Sequence, residues 1–402
     1  MKKILVIGGG TYQIPLIQRI VELGYAAYCV DKNPKAPGFA YATEHRIIDV
    51  MDKDACLHYA QQIGIDAVMT YGATLTLPTV AYIGKELSLP ALPMETAAIS
   101  VNKYQIKKRL AENGCHIKGS FFVLHSVDEA KDVEFALPCV CKPSDGSGSK
   151  GVSFAYNQED VLPAVQYAFD GARYGEVYVE SLVKGEEYSV EAFVANQEIY
   201  VYAVVKTTFE RQKDGSISYG HRTPSGLPQD QENKIVLEVE KAIRALDITI
   251  GSVNFDVILC EEDGNPYIID CGIRIGQNLI ASHMVPFSRG VSELDNTIQL
   301  ALGQPVDAKP KFRKAIATRL LIYKPGVITE IKPMNDVIGQ NGVLAVVMRK
   351  GVGDRQNEYR EKSDTCGWVV VSGLTPEEAE QKAEKAKSKL EEYIVIGGET
   401  KK

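Results

Sequence analysis

Two stretches hold most of the side chains whose types and spacing could do chemistry: Leu137–Val152, LPCVCKPSDGSGSKGV, and Pro266–Arg274, PYIIDCGIR. The first reads as a short apolar strand ending in Lys142, then a loop of small residues, then a strand at Val152–Tyr156. An ammonium at a strand end can reach a phosphate in a cleft. A glycine-rich loop can fold its backbone N–H groups around phosphate oxygens, because glycine tolerates positive φ and close approach. The GxxxxGK[ST] order is missing and a strand follows instead of a helix, so this is not a Walker loop. The second stretch closes a hairpin whose turn holds Asp263-Gly264. Counting across a five-residue loop, 261–265, sets Asp256 opposite Asp270 and Asn254 opposite Gly272. Facing Cβ atoms are about 4.5–5.5 Å apart, and like charges there repel. A proton, a cation or water must lie between two such carboxylates, and magnesium with nucleotide phosphates completing its shell is the natural occupant. Arg274 shares the parity of Asp270 and could clamp a transferred phosphoryl group. The combination is the minimum equipment of an ATP-using enzyme.

Between these stretches lies VYVESLVKGEE, residues 177–187. An extended segment of this kind can read adenine through backbone groups near Ser181–Val183, with Glu180 and Glu187 available for the amino group and the ribose hydroxyls; a solvent-edged strand is the alternative. His221 and Arg222, in the polar segment 213–231, are candidates to contact an acceptor or its carboxylate, or else lie on a surface loop. Lys206 could reach phosphate or be a strand-edge charge. His283 could line the same cleft.

Elements that would position these groups follow from periodicity. An apolar strand at Ile4–Ile7, Gly8-Gly9-Gly10, a helical pattern over Ile14–Leu23 and a strand at Ala26–Val30 form a βαβ unit. A strand at Ala67–Thr70 and a helix around Thr79–Leu87 extend it into a small parallel sheet. Gly8, Gly10 and Asp31 partly fit a dinucleotide fingerprint, but Gln13 stands where its third glycine belongs. A tight turn whose helix N-terminus receives a substrate anion is the preferred reading. Short strands dominate from Phe121 to Val194, with a helix near Val161–Phe169, and resume at Ile199–Val205; a helix spans roughly Glu232–Leu246, and a linker follows Gly303. Four more strands and a charged helix opened by Thr375-Pro376-Glu377-Glu378 as a capping box complete the chain. That helix reads as a solvated face.

At 402 residues two to three packed units are expected. A net charge of -7 argues against nucleic acid or an anionic membrane as the main partner. The eight scattered cysteines without CxxC spacing read as free thiols of a cytoplasmic protein. The opening apolar run is too short for a signal peptide or a membrane span.

The order and spacing of GGGTYQIPLI, VDKNP, Asn102-Lys103, LPCVCKPSDGSGSKGV, VYVESLVKGEEYSVE, GHRTPSGLP, GSVNFDVIL, PYIIDCGIRIGQN and CGWVVVSGLTPEEA resemble the ATP-grasp superfamily over essentially the whole length. The branch is that of carbamoyl-phosphate synthase large-chain domains and L-amino acid ligases. The resemblance implies an α/β and α+β multidomain chain. Its parts would be a Rossmann-like preATP-grasp domain at 1–97, a two-lobed ATP-grasp fold at 98–302 with its lid lobe about 115–190, and a small mixed C-terminal domain at 303–402. It implies that Lys103 and Lys142 contact ATP phosphates under the loop of Ser147, Gly148, Ser149 and Gly151. Glu180, Ser181 and Val183 would meet adenine, and Glu187 the ribose. Asp256 and Asp270 would hold magnesium (manganese is a further option), and Arg274 would steady the phosphorylated intermediate. The usual pattern is E-x-N-x-R, whereas this chain has Asp270-Cys271-Gly272-Ile273-Arg274, so one metal ligand is missing unless Asn278 or water substitutes.

The implied reaction is ADP-forming ligation of a carboxylate to an amine, both small molecules, with a homodimer left open. Three alternatives stand beside it: a bicarbonate-activating carboxylase type, a nucleotide-binding protein with altered or lost catalysis, and a nicotinamide oxidoreductase resting only on Gly8 and Gly10.

Overall fold

The computed structural model describes residues 1–402 except 147, 149, 213–214, 277–278, 360–363 and 398–402. Four parallel strands open the chain, in the order Glu44–Ile47, Ala26–Asp31, Lys3–Ile7, Ala67–Met69. Near-continuous apolar runs in the last three suit a parallel sheet covered on both faces, whereas the edge strand Glu44–Ile47 is polar and exposed. Helices Ile14–Glu22 and Glu293–Ala301 pack on one side, where Leu16, Ile17, Ile20 and Ile298 are fully buried. An ion pair from Arg19 to Asp295 at 2.6 Å fastens the two helices together.

A second sheet is antiparallel: Phe121–Leu124, Val177–Ser181, Cys139–Pro143, Ser153–Ala155. Helix Gln158–Gly171 lies on it, with Val161, Val165 and Ala168 buried against Cys139, Cys141 and Val179. The central sheet has eight strands, Pro266–Gly272, Gly251–Cys260, Gly185–Ala195, Glu198–Gln212, Gly215–Thr223, Ala315–Leu321, Gly367–Gly373 and Val343–Met348 in spatial order. Its last three strands come from the C-terminal quarter of the chain, so that part extends the central sheet.

The central sheet has two unlike faces. Tyr188, Val190, Ala192, Val253, Phe255 and Val257 are buried against Ile235, Val239, Ala242 and Ile243 of helix Gln229–Ala245. Strand alternation therefore turns Glu187, Ser189, Glu191, Asn254 and Asp256 to the opposite face, where the chemistry must lie.

Three expectations are corrected. The polar segment 213–231 contains the strand Gly215–Thr223, so His221 lies buried between Thr207 and Thr318 rather than on a surface loop. Arg222 pairs with Lys206, which pairs with Tyr188, and both cations thus point to the helix-covered face. Lys206 is held by Glu186 at 2.7 Å, and Arg222 by Glu377 and Glu380. Neither reaches the cleft face. The charged helix Pro376–Leu390 is not simply solvated: Glu380 and Glu384 also pair with Arg319, whose side chain is buried.

Candidate active site

Lys103 is the first residue of helix Lys103–Glu112, capped by the Asn102 carboxamide oxygen, which accepts from Gln105 N–H at 3.0 Å. The Lys103 N–H bonds the Ser144 carbonyl at 2.7 Å, tying the helix start to the point where the Lys142 strand runs into the glycine loop. The Lys103 ammonium pairs with Asp270. Lys107, one turn on, lies on the same side of the helix. Its ammonium is buried between Glu180 at 2.9 Å and the Ile268 carbonyl at 2.7 Å.

Lys142 is also buried, 2.5 Å from Glu180 and 3.0 Å from the Ile269 carbonyl, with its ammonium over the Tyr178 ring. Glu180 further accepts from the Tyr178 hydroxyl at 2.7 Å. Three lysines thus converge with Glu180 and Asp270. Burial alone would raise the Glu180 pKa, but Lys107 and Lys142 outweigh it and hold the carboxyl at about 2. At Asp270, too, desolvation is outweighed by Lys103 and Lys142, and its pKa falls to about 2. The Asp270 side chain keeps 43% of its surface, so it lines the cleft rather than the interior.

Asp256 pairs with Asp270 and Asn254 with Gly272 across the hairpin, in the counted register. The route to that register differs from a simple count. Near the turn Val257 pairs with Ile268, one residue out of step, and a bulge at Ile269 restores the frame at the acids. Asp256 accepts from the Ser189 hydroxyl at 2.9 Å, which in turn accepts from Asn254 at 3.1 Å. Arg274 lies over Gly272: a Cβ built there would be 3.2 Å from its Cζ. The guanidinium occupies the space into which an asparagine at 272 would grow.

In the loop, Gly148 (φ +66°) and Gly151 (φ +75°) adopt left-handed backbone, and Gly151 touches Pro143 so closely that no side chain fits. Asp145 anchors the loop's first half by accepting from Arg173 and Tyr174 N–H. Ser147 and Ser149 lie outside the described residues, as does Asn278. Ser144 Oγ is buried without a hydrogen-bond partner among the described residues.

Val183 packs with Cys260, Tyr267, Ile258 and Ile269 in a small apolar cluster beside Glu180. Ser181 is committed to Ser120 through both its N–H and its hydroxyl, and Leu182 N–H to the Pro138 carbonyl. The backbone N–H groups of Ser181 and Leu182 are therefore already engaged within the protein. Glu187 pairs in register with Ile258 on the cleft face. His221, whose neighbour Arg222 points away, is turned to that same face. His283 lies on the turn Ile280–Met284 with Nδ1 2.9 Å from the Ser282 hydroxyl, and burial lowers its pKa.

The N-terminal turn offers the dinucleotide reading no support. Asp31 is not free for a ribose, because it accepts from Gly9 N–H at 2.8 Å. Gln13 is buried against Gly8 and Gly10 and donates to the Tyr71 carbonyl. Lys107, Tyr178, Ser189 and Glu191 were missed by sequence reasoning. Only Lys107 carried a usable signal, its i+4 spacing from Lys103.

The residues fit one divalent cation. Two facing carboxylates offer hard oxygen ligands, the kind of set that holds magnesium when phosphate and water supply the rest. Among the described residues no cluster of three His, Cys, Asp or Glu side chains could chelate a metal alone.

The ATP-grasp domain model matches residues 100–277, and L-amino acid ligase C-terminal domain 2 matches residues 319–394. The chain thus carries an ATP-grasp domain, and its C-terminal part is of the type found in L-amino acid ligases. The fold is similar to that of L-amino acid ligase from Bacillus licheniformis, with a TM-score of 0.81 at 21% identity over 99% of both chains. It is also similar to the biotin carboxylase domain of 2-oxoglutarate carboxylase from Hydrogenobacter thermophilus, solved with MgADP, ADP and bicarbonate. That match has a TM-score of 0.76 at 18% identity, over 99% of this chain and 91% of that one. In sequence, an uncharacterized protein of Sinorhizobium fredii is 24% identical over 351 residues, 83% of this chain and 71% of that protein. Further curated relatives match over less than half of their own length. No described helix is long and apolar enough to cross a membrane.

Proposed function

We propose that this chain joins a carboxylate to an amine at the expense of ATP, through an acyl phosphate, releasing ADP and phosphate. The observation that carries the reading is the convergence of Lys103, Lys142 and the facing Asp256 and Asp270 beneath a glycine loop. The L-amino acid ligase C-terminal domain supports an amino acid or related carboxylate as substrate class.

In this reading Lys103 and Lys142 meet the nucleotide phosphates, and Asp270, paired with Lys103 here, would serve as a metal ligand. Glu180 holds Lys107 and Lys142 in place, Val183 and its apolar neighbours receive adenine, and Glu187 meets the ribose. Asp256 and Asp270 would hold a magnesium ion, whose chemistry there would be neutralisation of the charge that grows on the phosphate oxygens. The substrate carboxylate attacks the γ-phosphorus and ADP departs. Arg274 faces the new acyl phosphate, the amine adds to its carbonyl carbon, and phosphate leaves with the bonding pair. Positioning and charge neutralisation suffice, and no enzyme nucleophile is needed. His221 is assigned to the acceptor side, on the same face.

The test is ADP release from MgATP across a panel of carboxylates and amines, with and without bicarbonate. ADP that requires both a carboxylate and an amine supports the reading. Release driven by bicarbonate moves the protein to the carboxylase type, and nucleotide binding without turnover under any pair indicates lost catalysis.

A further inference from the structure

On the cleft face, one step further from the hairpin turn than the acids, lie two carboxylates that the proposed chemistry does not use. Glu191 and Glu293 are both fully buried and within side-chain hydrogen-bond reach of each other. The Glu191 carboxylate accepts from Gly276 N–H at 2.8 Å and from Asn254 Nδ2 at 2.9 Å. It fills the space over Gly276 so completely that any side chain there would overlap it. Asn254 also donates to Ser189, and Ser189 to Asp256. An unbroken run of polar contacts therefore links the backbone just after Arg274 to one of the two facing acids.

Glu293 has no donor of good geometry for either carboxylate oxygen among the described residues, although the Ser252 hydroxyl lies nearby. Two adjacent buried carboxylates cannot both stay ionised here, because the donors and Arg274 act on Glu191 while the desolvation of Glu293 and the repulsion between the two are not offset. One proton on Glu293 turns the contact into an O–H···O bond and gives Glu191 a third donor. The groups facing the pair leave that proton in place. Tyr71 and Tyr202 are buried phenols beside Glu293, and Arg274 is the cation acting on Glu191 among the described residues. Burial pushes both carboxyls above the ordinary range, Glu293 further still through the Glu191 charge.

We propose that Glu191 and Glu293 form a single-proton carboxyl pair that sets the Arg274–Gly276 turn on one side and the Asp256 carboxylate on the other. Both are positioning residues. The inference rests on the reading of Asp256 as a metal-binding acid. Loss of the shared proton sets two anions against each other and drives Glu191 off Gly276 and Asn254, so both ends of the run are released together.

Binding of ADP, with and without Mg²⁺, is to be measured by titration calorimetry at pH 6.5 and pH 9 for the wild type, Glu293→Gln and Glu293→Ala. Couplings in contact networks of this kind run to factors of about 10. Wild type should lose about tenfold in MgADP affinity between the two pH values, with metal-free ADP unchanged. Glu293→Gln keeps a permanent N–H donor toward Glu191 and should hold its MgADP affinity at both. Glu293→Ala should be weakened about tenfold at both. Parallel loss in wild type and Glu293→Gln at pH 9 overturns the proposal, as does wild-type behaviour of Glu293→Ala. Should Glu293→Ala fail to fold, the wild-type and Glu293→Gln comparison decides. A wild type that binds no MgADP at pH 6.5 refutes the metal reading itself, a result distinct from the other two.

Discussion

The Lys142 ammonium is held by the carbonyl of Ile269 at 3.0 Å, and Ile269 is the residue bulged out of the hairpin beside Asp270. One local irregularity therefore does two things. It brings Asp270 level with Asp256, and it frees a carbonyl that fixes the lysine expected to meet phosphate. An extra residue in one strand leaves a group without its ladder partner, and here that group is used.

Replacing Asp270 by asparagine keeps the shape but removes a charge from the facing pair. Electrostatic groups aimed at developing phosphate charge are typically worth about 100–1,000-fold in rate. Asp270→Asn should lower Mg²⁺-dependent ADP release by that order and raise the Mg²⁺ concentration needed for half-maximal turnover. A coupled ADP assay over a Mg²⁺ series measures both, and an unimpaired variant removes the metal assignment.

Lys107→Met leaves Glu180 buried with Lys142 as its one cationic partner among the described residues. Breaking a buried pair from one side costs about 3–5 kcal/mol. Urea unfolding should show a loss of this order, together with a rise in the Glu180 pKa. In the wild type that pKa is depressed in the folded state, so its contribution is complete above the ordinary glutamate value of 4.5. It fades as pH falls toward about 2. Melting temperature against pH should therefore drop through this window, and the variant's drop should be smaller and end at a higher pH.

Gly272→Asn restores the residue common in this family, yet it should not restore a better site. The Arg274 guanidinium lies where the new side chain must go, 3.2 Å from the Cβ position. Displacing it should reduce ADP release about tenfold or more, given the weight of a charge-assisted clamp on an oxyanion. Equal or higher turnover would show that Arg274 leaves Gly272 when substrates bind.

Gly276→Ala places a methyl group onto the Glu191 carboxylate. Overpacking a tight interior costs typically about 1–3 kcal/mol. The same substitution made in a Glu191→Ala background meets no carboxylate and should cost less, so a double-mutant cycle by denaturant unfolding should give a clear coupling. Additive losses would place the strain elsewhere.

The carboxyl pair also predicts a stability signature. Both folded-state pKa values are raised, so between the ordinary value of 4.5 and the raised ones the folded form binds more protons than the unfolded form. Stability contributed here falls as pH rises through that interval. Glu293→Gln removes the titration and should melt higher than wild type at pH 8 and close to it at pH 5, as differential scanning fluorimetry would report.

Much of this chain was legible from residue order alone. Apolar runs of period two and 3.6, glycine stops and the Thr375 cap marked most strands and helices, because these signals act over a few residues and need no distant partner. Facing aspartates followed from the parity of a hairpin, again a local property, although the bulge that maintains the parity did not show in the spacing. Side-chain partnership did not follow. Lys206 and Arg222 looked available in sequence, and only the alternation of the assembled sheet turned them toward Glu186, Glu377 and Glu380. The strand Gly215–Thr223 was hidden because its His221 and Thr223 are buried by neighbours far away in the chain, a context that propensity does not carry. Glu191 and Glu293 stand 102 positions apart, and nothing in either neighbourhood marks them as a pair. Local order thus determined which elements form and which residue types could do chemistry. Tertiary packing decided which of those charges are free, because pairing and desolvation depend on what folds against them.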